Sequence, residues 1–292
     1  MKVNSLLSDL YRGEWLMDVH SIASYAPLIV KLMEGDAVSK QMDQEARVIG
    51  FEDKNGRAIL PDDEGAYDIP KGSVAHINMI GPVMKYGDWC TYGADDIVRA
   101  LRMANGHPNI KYSVLHTDGP GGAVSAIGPF RQFAKEKVKP VGVHADACMS
   151  LHFFAAHSVG DFVYADNDVS ARFGSVGIVS SFIDSRPVLE EKGYKLHEIY
   201  PKESEHKNEA FRLALEGKYD MIKKEHLSPV AIKFQDAIRA AMPNLVEETG
   251  VLTGKTFSAE KSLELNLIHG IGSIEDVFER LEMLVELKNY KN

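Results

Sequence analysis

The sequence predicts an α/β protein built around a mainly parallel sheet, and two observations support this fold class. Between residues 73 and 201, short apolar segments typical of strands alternate with amphipathic segments typical of helices, which implies β-α-β crossovers. The 292 residues are 45% apolar and 26% charged, a balance that allows a sizeable core and argues against a disordered chain. The chain is therefore long enough for one large or two modest domains.

The first 72 residues lack the alternating strand and helix patterns of the rest of the chain. Residues 1–40 read as helical, with Leu6, Leu7 and Leu10 on one face. Residues 50–72 are rich in Gly, Pro and Asp, which predicts a loop or linker. We therefore divide the chain into a helical leader and linker over 1–72 and a main domain over 73–292.

The main domain alternates strands and helices in a regular order. The first strand, 73–83, stops at Gly81-Pro82, because proline removes a ladder donor. Further strands are predicted at 109–122, 139–147, 161–168 and 194–201, and helices at 95–104, 129–137, 150–159 and 186–193. A long helical region follows over 209–241, with a possible break at Ser228-Pro229. The last helix carries an apolar face that suits either the core or a partner; it comprises Val277, Phe278, Leu281, Leu284 and Val285.

Charge and cysteine content exclude several classes of function. Thirty-three basic and 42 acidic residues leave a net charge of −9, which makes nucleic acid or an anionic membrane an improbable main partner. No apolar run suits a signal peptide or a membrane span, so a cytoplasmic location is expected. Cys90 and Cys148 cannot form a disulfide framework or a four-thiolate metal site, and they suit small buried apolar positions.

A glycine-rich turn is the first of three segments that could carry chemistry. Residues 118–122, Asp-Gly-Pro-Gly-Gly, close a predicted strand. Adjacent glycines let the backbone approach a ligand closely and expose N–H donors, which could stabilise an oxyanion. The same pentapeptide also suits a simple tight turn between a strand and a helix.

A serine at the junction of a strand and a very apolar helix is the second segment. Ser150 stands where the helix N-terminus offers free N–H groups to any oxyanion formed beside it. Serine is also a common N-cap residue, and a cap and a nucleophile are geometrically compatible. Both interpretations of Ser150 stay open on these grounds.

The polar stretch 203–208 is the third segment and contains Lys207. A lysine in such a stretch is ordinarily solvated. It could act as a general base only if folding carried it into a dry pocket, where desolvation lowers the pKa of an amine.

Together these segments resemble the signal peptide peptidase A (protease IV) family of serine peptidases, which includes the prohead proteases of tailed phages. The resemblance spans residues 73 to 278. Six motifs stand in the family's order: Ile-Gly-Pro at 80–82, Asp-Gly-Pro-Gly-Gly at 118–122, the serine region 149–153, Gly-Ser-Val-Gly-Ile at 174–178, the lysine region 204–207 and the pattern from 252 to 269. The resemblance implies a Clp protease/crotonase-like fold, a stacked β-β-α superhelix with flanking helices.

The resemblance also implies a role for each matching residue. Ser150 would be the nucleophile and Lys207 the general base of a Ser/Lys dyad. The backbone N–H groups of Gly122 or Gly121 and of Leu151 would form the oxyanion hole, and Ser175 would orient the lysine amine. No metal or organic cofactor is required by this chemistry.

Several departures from the family pattern bear on the site. Leu151 and His152 replace small residues around the serine, and Lys207 lies slightly farther along the chain than the family spacing. Glu203 and Glu205 flank the lysine, and nearby carboxylates raise the pKa of an amine. Lys202 is the nearest substitute as the base.

A Ser/His/Asp arrangement competes with the dyad. His144, His152 and His157 lie near Ser150 in sequence, but a histidine two residues away on one helix points off another face. In the Clp branch the histidine follows the serine by about 25 residues, where this chain has Gly174-Ser175. The lysine is therefore preferred.

The expected function is that of a serine endopeptidase, in particular a phage prohead protease that cleaves scaffold or capsid proteins in the host cytoplasm or the prohead interior. A cytoplasmic bacterial signal-peptide-peptidase-like protease is an alternative. A non-proteolytic assembly protein of the same fold, or a crotonase-like acyl-CoA enzyme, would use the fold without the serine. The family also implies a homo-oligomer whose subunits complete one another's clefts.

Overall fold

The computed structural model of the chain describes residues 14–16, 48–87, 92–182, 184 and 186–291. The remaining residues lie outside this description, including Cys90 and most of the predicted helical leader. Within the described part, residues Glu14–Leu16 form a strand, β1, in a region where the sequence predicts helix.

A nine-stranded mixed sheet forms the body of the protein and confirms the predicted α/β class. Its strands are β2 (Ile49–Glu52), β3 (Ala58–Ile59), β4 (Ser73–Ile80), β5 (Ile110–Gly119), β7 (Val141–Met149), β8 (Phe162–Ala165), β9 (Arg172–Gly174), β11 (Thr256–Ser258) and β12 (Gly270–Ile271). The central path runs β11-β9-β7-β5-β4-β2-β3, and β8 lies between β7 and β12. The β4-β5-β7 core is parallel, as the crossovers predict.

A second, three-stranded sheet lies at the carboxyl end of the parallel strands. It has the order β10-β1-β6, in which β6 is Gly122–Ala123 and β10 is Val179–Ser180. β1 is antiparallel to both neighbours.

Eight α-helices are described: α1 (Ala94–Gly106), α2 (Ile127–Glu136), α3 (Leu151–Val159), α4 (Arg186–Glu191), α5 (Glu209–Leu215), α6 (Ser228–Ala241), α7 (Ala259–Glu264) and α8 (Ile274–Lys291). In α1, Ile97, Leu101 and Ala104 recur at helical spacing and are all buried. The carboxylate of Asp96 accepts a hydrogen bond from the Gly93 N–H at 3.1 Å and so caps the first turn.

The two faces of the sheet bury different sets of side chains, because alternate residues of a strand point in opposite directions. On β4, Ala75, Ile77 and Met79 belong to the main core, with α1, α2 and α3. Val74 belongs to a second cluster, in which α8 contributes Val277 and Leu281. The apolar face of the last helix therefore packs against its own sheet.

Three local predictions are wrong. Residues 50–72 are not a simple loop, because β2 and β3 form a hairpin that pairs with β4 and buries Phe51. Residues 194–201 form no strand and are almost wholly exposed. The helical region 209–241 is interrupted at 216–219, whereas the π-helix Ile222–Leu227 continues directly into α6 at Ser228.

The π-helix explains why Pro229 does not break the helix. Proline lacks an N–H and its ring clashes with the carbonyl group four residues earlier in a regular α-helix. A wider π turn placed immediately before Pro229 relieves this conflict, and Pro229 itself sits in the first turn of α6.

Candidate active site

Ser150 occupies the sharp turn between β7 and α3. Its φ of 55° and ψ of −111° lie outside the regions that L-residues ordinarily adopt. α3 is apolar on all sides, with Leu151, Phe153 and Phe154 buried, so the helix is fixed deep in the protein. The turn therefore holds Ser150 in a strained conformation of the kind found at nucleophiles on strand-to-helix turns.

The glycine-rich turn lies directly against the start of α3. A Cβ added to Gly122 would come within 1.9 Å of the Val83 carbonyl oxygen and 2.7 Å of Leu151 Cδ2. The turn is anchored by two hydrogen bonds, from the Val83 N–H to the Gly121 carbonyl and from the Ala123 N–H to the Val83 carbonyl, both at 3.0 Å. Only glycine fits at position 122, because the backbone there is in contact with its neighbours.

This contact places Gly122 beside the side chain of Leu151, and both residues are predicted to supply N–H groups to an oxyanion. Leu151 is the first residue of α3, so its N–H has no acceptor within the helix. Gly121 has a φ of 124°, which only glycine adopts without strain. Gly122 therefore lies beside Leu151, the residue that follows Ser150, and the role of these backbone groups stays a prediction.

Ser175 is also brought to this turn. The register pairs Met149 with Gly174, and the Ser150 N–H donates a hydrogen bond to the Gly174 carbonyl at 2.8 Å. Ser175 follows Gly174, has a φ of 55°, and donates its N–H to the Lys255 carbonyl at 2.8 Å. The backbone therefore places the two serines next to each other across the β7–β9 pair.

Lys207, the predicted general base, does not lie in a dry pocket beside Ser150. Its side chain is exposed, and its backbone N–H donates to the Ser204 carbonyl at 3.0 Å. Within the described residues, no hydrogen bond or ion pair joins the Lys207 amine to Ser150. Lys202, the substitute, is exposed as well and begins the short 3₁₀ helix Lys202–Ser204. The conformation described thus gathers Ser150, the glycine turn and Ser175, but neither lysine.

His152 lies beneath the glycine turn. A Cβ on Gly119 would come within 2.3 Å of His152 Nε2, so glycine is required there for the ring to fit. Burial lowers the pKa of His152 to about 4, although the Gly81 and Met79 carbonyl groups oppose this fall. The ring is therefore neutral near pH 7 and supports the turn by packing.

A group of carboxylates lines the same edge of the sheet; Asp118 belongs to the motif at 118–122, but the sequence analysis assigned no role to its side chain or to Asp146 and Asp166. Burial raises the pKa of Asp118, and the nearby carboxylates of Asp146 and Asp166 raise it further, while a hydrogen bond from the Ala147 N–H lowers it. These residues stand near the carboxyl ends of parallel strands, and such ends meet at one edge of a sheet, so their proximity could have been predicted from the sequence. Across the ranges that the structure describes, no group of three or more His, Cys, Asp or Glu side chains could hold a metal ion.

Comparisons with known proteins found similarity in structure alone. No family model matches the chain, and no curated protein matches it. The chain is similar to the 1510-N membrane-bound stomatin-specific protease, solved as a lysine-to-alanine mutant in complex with a substrate peptide; the TM-score is 0.41 at 12% identity over 70% of this chain and 76% of that one. For a serine-to-alanine mutant of the same protease, the TM-score is 0.43 at 12% identity over 70% and 80%.

Proposed function

We propose that this chain is a serine peptidase of the signal peptide peptidase A type with a Clp/crotonase-like fold, and that Ser150 is its nucleophile. The observation that carries the proposal is the strained turn at Ser150, packed against a glycine turn whose backbone comes into contact with Leu151. A structural N-cap needs no such strain, because capping residues ordinarily have extended backbone. Strain of this kind is maintained where a reactive group must be held in position.

In the proposed reaction, the Ser150 hydroxyl attacks a peptide carbonyl and forms a tetrahedral intermediate. The N–H groups of Leu151 and of Gly122 or Gly121 would stabilise its oxyanion. A general base accepts the serine proton and returns it to the leaving amine, and water then hydrolyses the acyl-enzyme. No cofactor takes part in these steps.

We propose Lys207 as this base, with Ser175 holding its amine. A lysine serves as a base only after desolvation lowers its pKa, so Lys207 must move from its exposed position into a covered site. The surface near Lys207 is apolar enough to bind another protein surface. The segment before Lys207 exposes several large apolar side chains, namely Phe182, Val188, Leu189, Tyr194, Leu196 and Ile199. A second copy of the chain packed on this segment would bury it and complete the site.

The finer assignment is a phage prohead protease whose substrates are scaffold or capsid proteins. It is supported by the order of the six sequence motifs. Cleavage of scaffold or capsid proteins encoded beside this chain, measured by gel electrophoresis and lost in Ser150→Ala, tests it. If the wild-type protein is catalytically active but leaves these scaffold and capsid proteins intact, its substrate is another protein.

The catalytic proposal is tested by intact-mass spectrometry after long incubation with excess of a small fluorophosphonate. We expect one adduct on the wild type, its loss in Ser150→Ala, and its retention in Ser158→Ala. Ser158 is a matched control, because it lies on the same helix with its hydroxyl bound to the Phe154 carbonyl. An adduct that survives in Ser150→Ala would overturn the assignment of the nucleophile.

The same measurement shows whether Lys207 or Lys202 is the general base. We expect Lys207→Ala to lose the adduct and Lys202→Ala to keep it. The reverse result would move the base to Lys202. Retention in both variants would exclude a Ser/Lys dyad formed by either residue.

A non-proteolytic assembly protein is the second candidate, favoured by one observation. Ser150 is only 1% exposed while Lys207 is exposed, so the dyad is not assembled in the conformation described. An assembly protein would show no adduct on the folded wild type, and Ser150→Ala would leave its assembly unchanged.

A further inference from the structure

Strand β1 lies in the gap between β6 and β10, beside the candidate active site. We call this gap the groove. Trp15 pairs with Val179 of β10 on one side and with Ala123 of β6 on the other, and Leu16 pairs with Gly122. Both pairings are antiparallel, so the three residues fill the gap between β6 and β10 as a central strand. Without β1, these two short strands would each present an unpaired edge.

The position of β1 relative to the site follows from its register. Leu16 stands opposite Gly122, which belongs to the glycine turn and is in contact with Leu151. Because the pairing is antiparallel, the chain approaches Gly121 as it runs from Trp15 to Leu16. β1 therefore lies against the backbone groups proposed to bind the oxyanion, and it runs toward them.

Two side chains of β1, those of Trp15 and Leu16, are buried. Trp15 is 3% exposed and Leu16 is fully buried, with Leu16 joined to the main core. Ladder pairing combined with pockets for alternate side chains is how a groove recognises an extended peptide by strand addition. In β1 the ladder pairing and the burial of Leu16 in the main core correspond to these two components.

We propose that Glu14–Leu16 is an internal occupant of the peptide-binding groove, which blocks the entry of substrate until it leaves. This inference rests on the proposed peptidase function and adds regulation to the same site. The substrate would be an extended peptide that replaces β1 between β6 and β10, with a large apolar side chain in the position of Leu16. The near-complete burial of Ser150 fits a closed groove.

A reversible disulfide tests the block by comparing one variant with itself in its oxidised and reduced states. Directly paired antiparallel residues have Cα atoms about 4.5–5.5 Å apart, which a disulfide can span. In the full chain carrying Trp15→Cys and Val179→Cys, oxidation would lock β1 in the groove. We expect fluorophosphonate labelling of Ser150 to be at least about tenfold slower in the oxidised form than after reduction. Equal rates in the two forms would overturn the proposal.

A second variant opens the groove. We expect Trp15→Ala combined with Leu16→Ala to label at least about tenfold faster than the wild type, and to bind a fluorescent peptide with the sequence of residues 10–20 about tenfold more tightly by anisotropy. Leu60→Ala is the matched control, because Leu60 is 76% exposed and lies outside the groove. A peptide with Ser in place of Trp and Leu should not bind.

The two readouts separate failure of this inference from failure of the proposed function. If Ser150 is not a nucleophile, labelling is absent from every variant, but peptide binding still rises when β1 is removed. If β1 is a permanent structural strand, labelling depends on Ser150 but does not respond to the lock, and the folded double variant gains no peptide affinity.

Discussion

Ser150 combines a positive φ with a ψ near −111°, a conformation that costs a non-glycine residue about 1–3 kcal/mol. The surrounding structure maintains it through the 2.8 Å hydrogen bond from the Ser150 N–H to the Gly174 carbonyl and the buried helix that follows. The folded protein therefore gives up some stability at this turn, and the Ser150 hydroxyl is held in one position.

Substituting Ser150 by glycine should therefore separate stability from reactivity. We expect Ser150→Gly to raise the free energy of unfolding by about 1 kcal/mol relative to Ser150→Ala, because glycine adopts this backbone without strain. Both variants should lose fluorophosphonate labelling. Urea denaturation measures the difference, and equal midpoints would show that the turn stores no strain.

Gly122 provides a second residue-scale test. A Cβ there would overlap the Val83 carbonyl oxygen, so we expect Gly122→Ala to lower the free energy of unfolding by about 1–3 kcal/mol and to abolish labelling. Gly128→Ala is the control, because open space surrounds Gly128 in α2 and alanine is favoured in a helix by about 1 kcal/mol. Urea denaturation compares the two, and similar midpoints would contradict the close contact at Gly122.

At the scale of elements, α8 closes the face of the sheet opposite α1–α3. It packs where β7 has Gly142, whose missing side chain leaves room for Val277 and Leu281. Arg280 adds a hydrogen bond from its guanidinium to the Tyr164 hydroxyl at 3.0 Å. The helix thus stabilises β7, the strand that ends at Ser150, from the side away from the site.

Truncating the apolar face of α8 should weaken the whole fold. We expect Leu281→Ala to lower the free energy of unfolding by about 2–5 kcal/mol, because Leu281 is fully buried. Met283→Ala on the exposed side should change it by less than about 0.5 kcal/mol. Thermal and urea unfolding measure both. A small effect at Leu281 would mean that α8 is not part of the cooperative unit.

At the scale of the whole molecule, buried histidines connect stability to pH. Burial lowers the pKa of His116, His152 and His157 to about 4 in each case. His76 Nδ1 and His116 Nε2 are 2.9 Å apart, and the coulombic effect of His76 lowers the pKa of His116 further. All three side chains are therefore neutral in the folded protein and become protonated on unfolding in mild acid.

Stability should consequently fall between pH 6.5 and pH 4. The unfolded state binds the protons first, so this contribution is complete above pH 6.5 and is lost as the pH drops. Each histidine contributes a slope of up to about 1.4 kcal/mol per pH unit. We expect His116→Gln to reduce the slope, measured by urea denaturation at several pH values. An unchanged slope in His116→Gln would contradict the assignment.

In the described part of the chain, no helix is long and apolar enough to cross a membrane.

Local sequence patterns predict the alternation of strands and helices, the buried apolar helix α3, and the placement of Ser150 and the glycine turn at one edge of the sheet. These features follow from local periodicity, from glycine and proline positions, and from the rule that parallel strands end together. The positions of Ser150, Gly122 and Leu151 could be predicted because each stands at the end of a strongly patterned element.

Three features depend on tertiary packing and have no local signal: the position of β1, the exposure of Lys207 and the backbone strain at Ser150. A three-residue strand has no periodicity to detect, and β1 is stabilised by pairing with residues far away in sequence. The burial of a lysine depends on which segments cover it, and residues 194–201 lack the strand that their sequence pattern predicts. Strain in a turn is set by the packing on both sides of it, which no local pattern encodes.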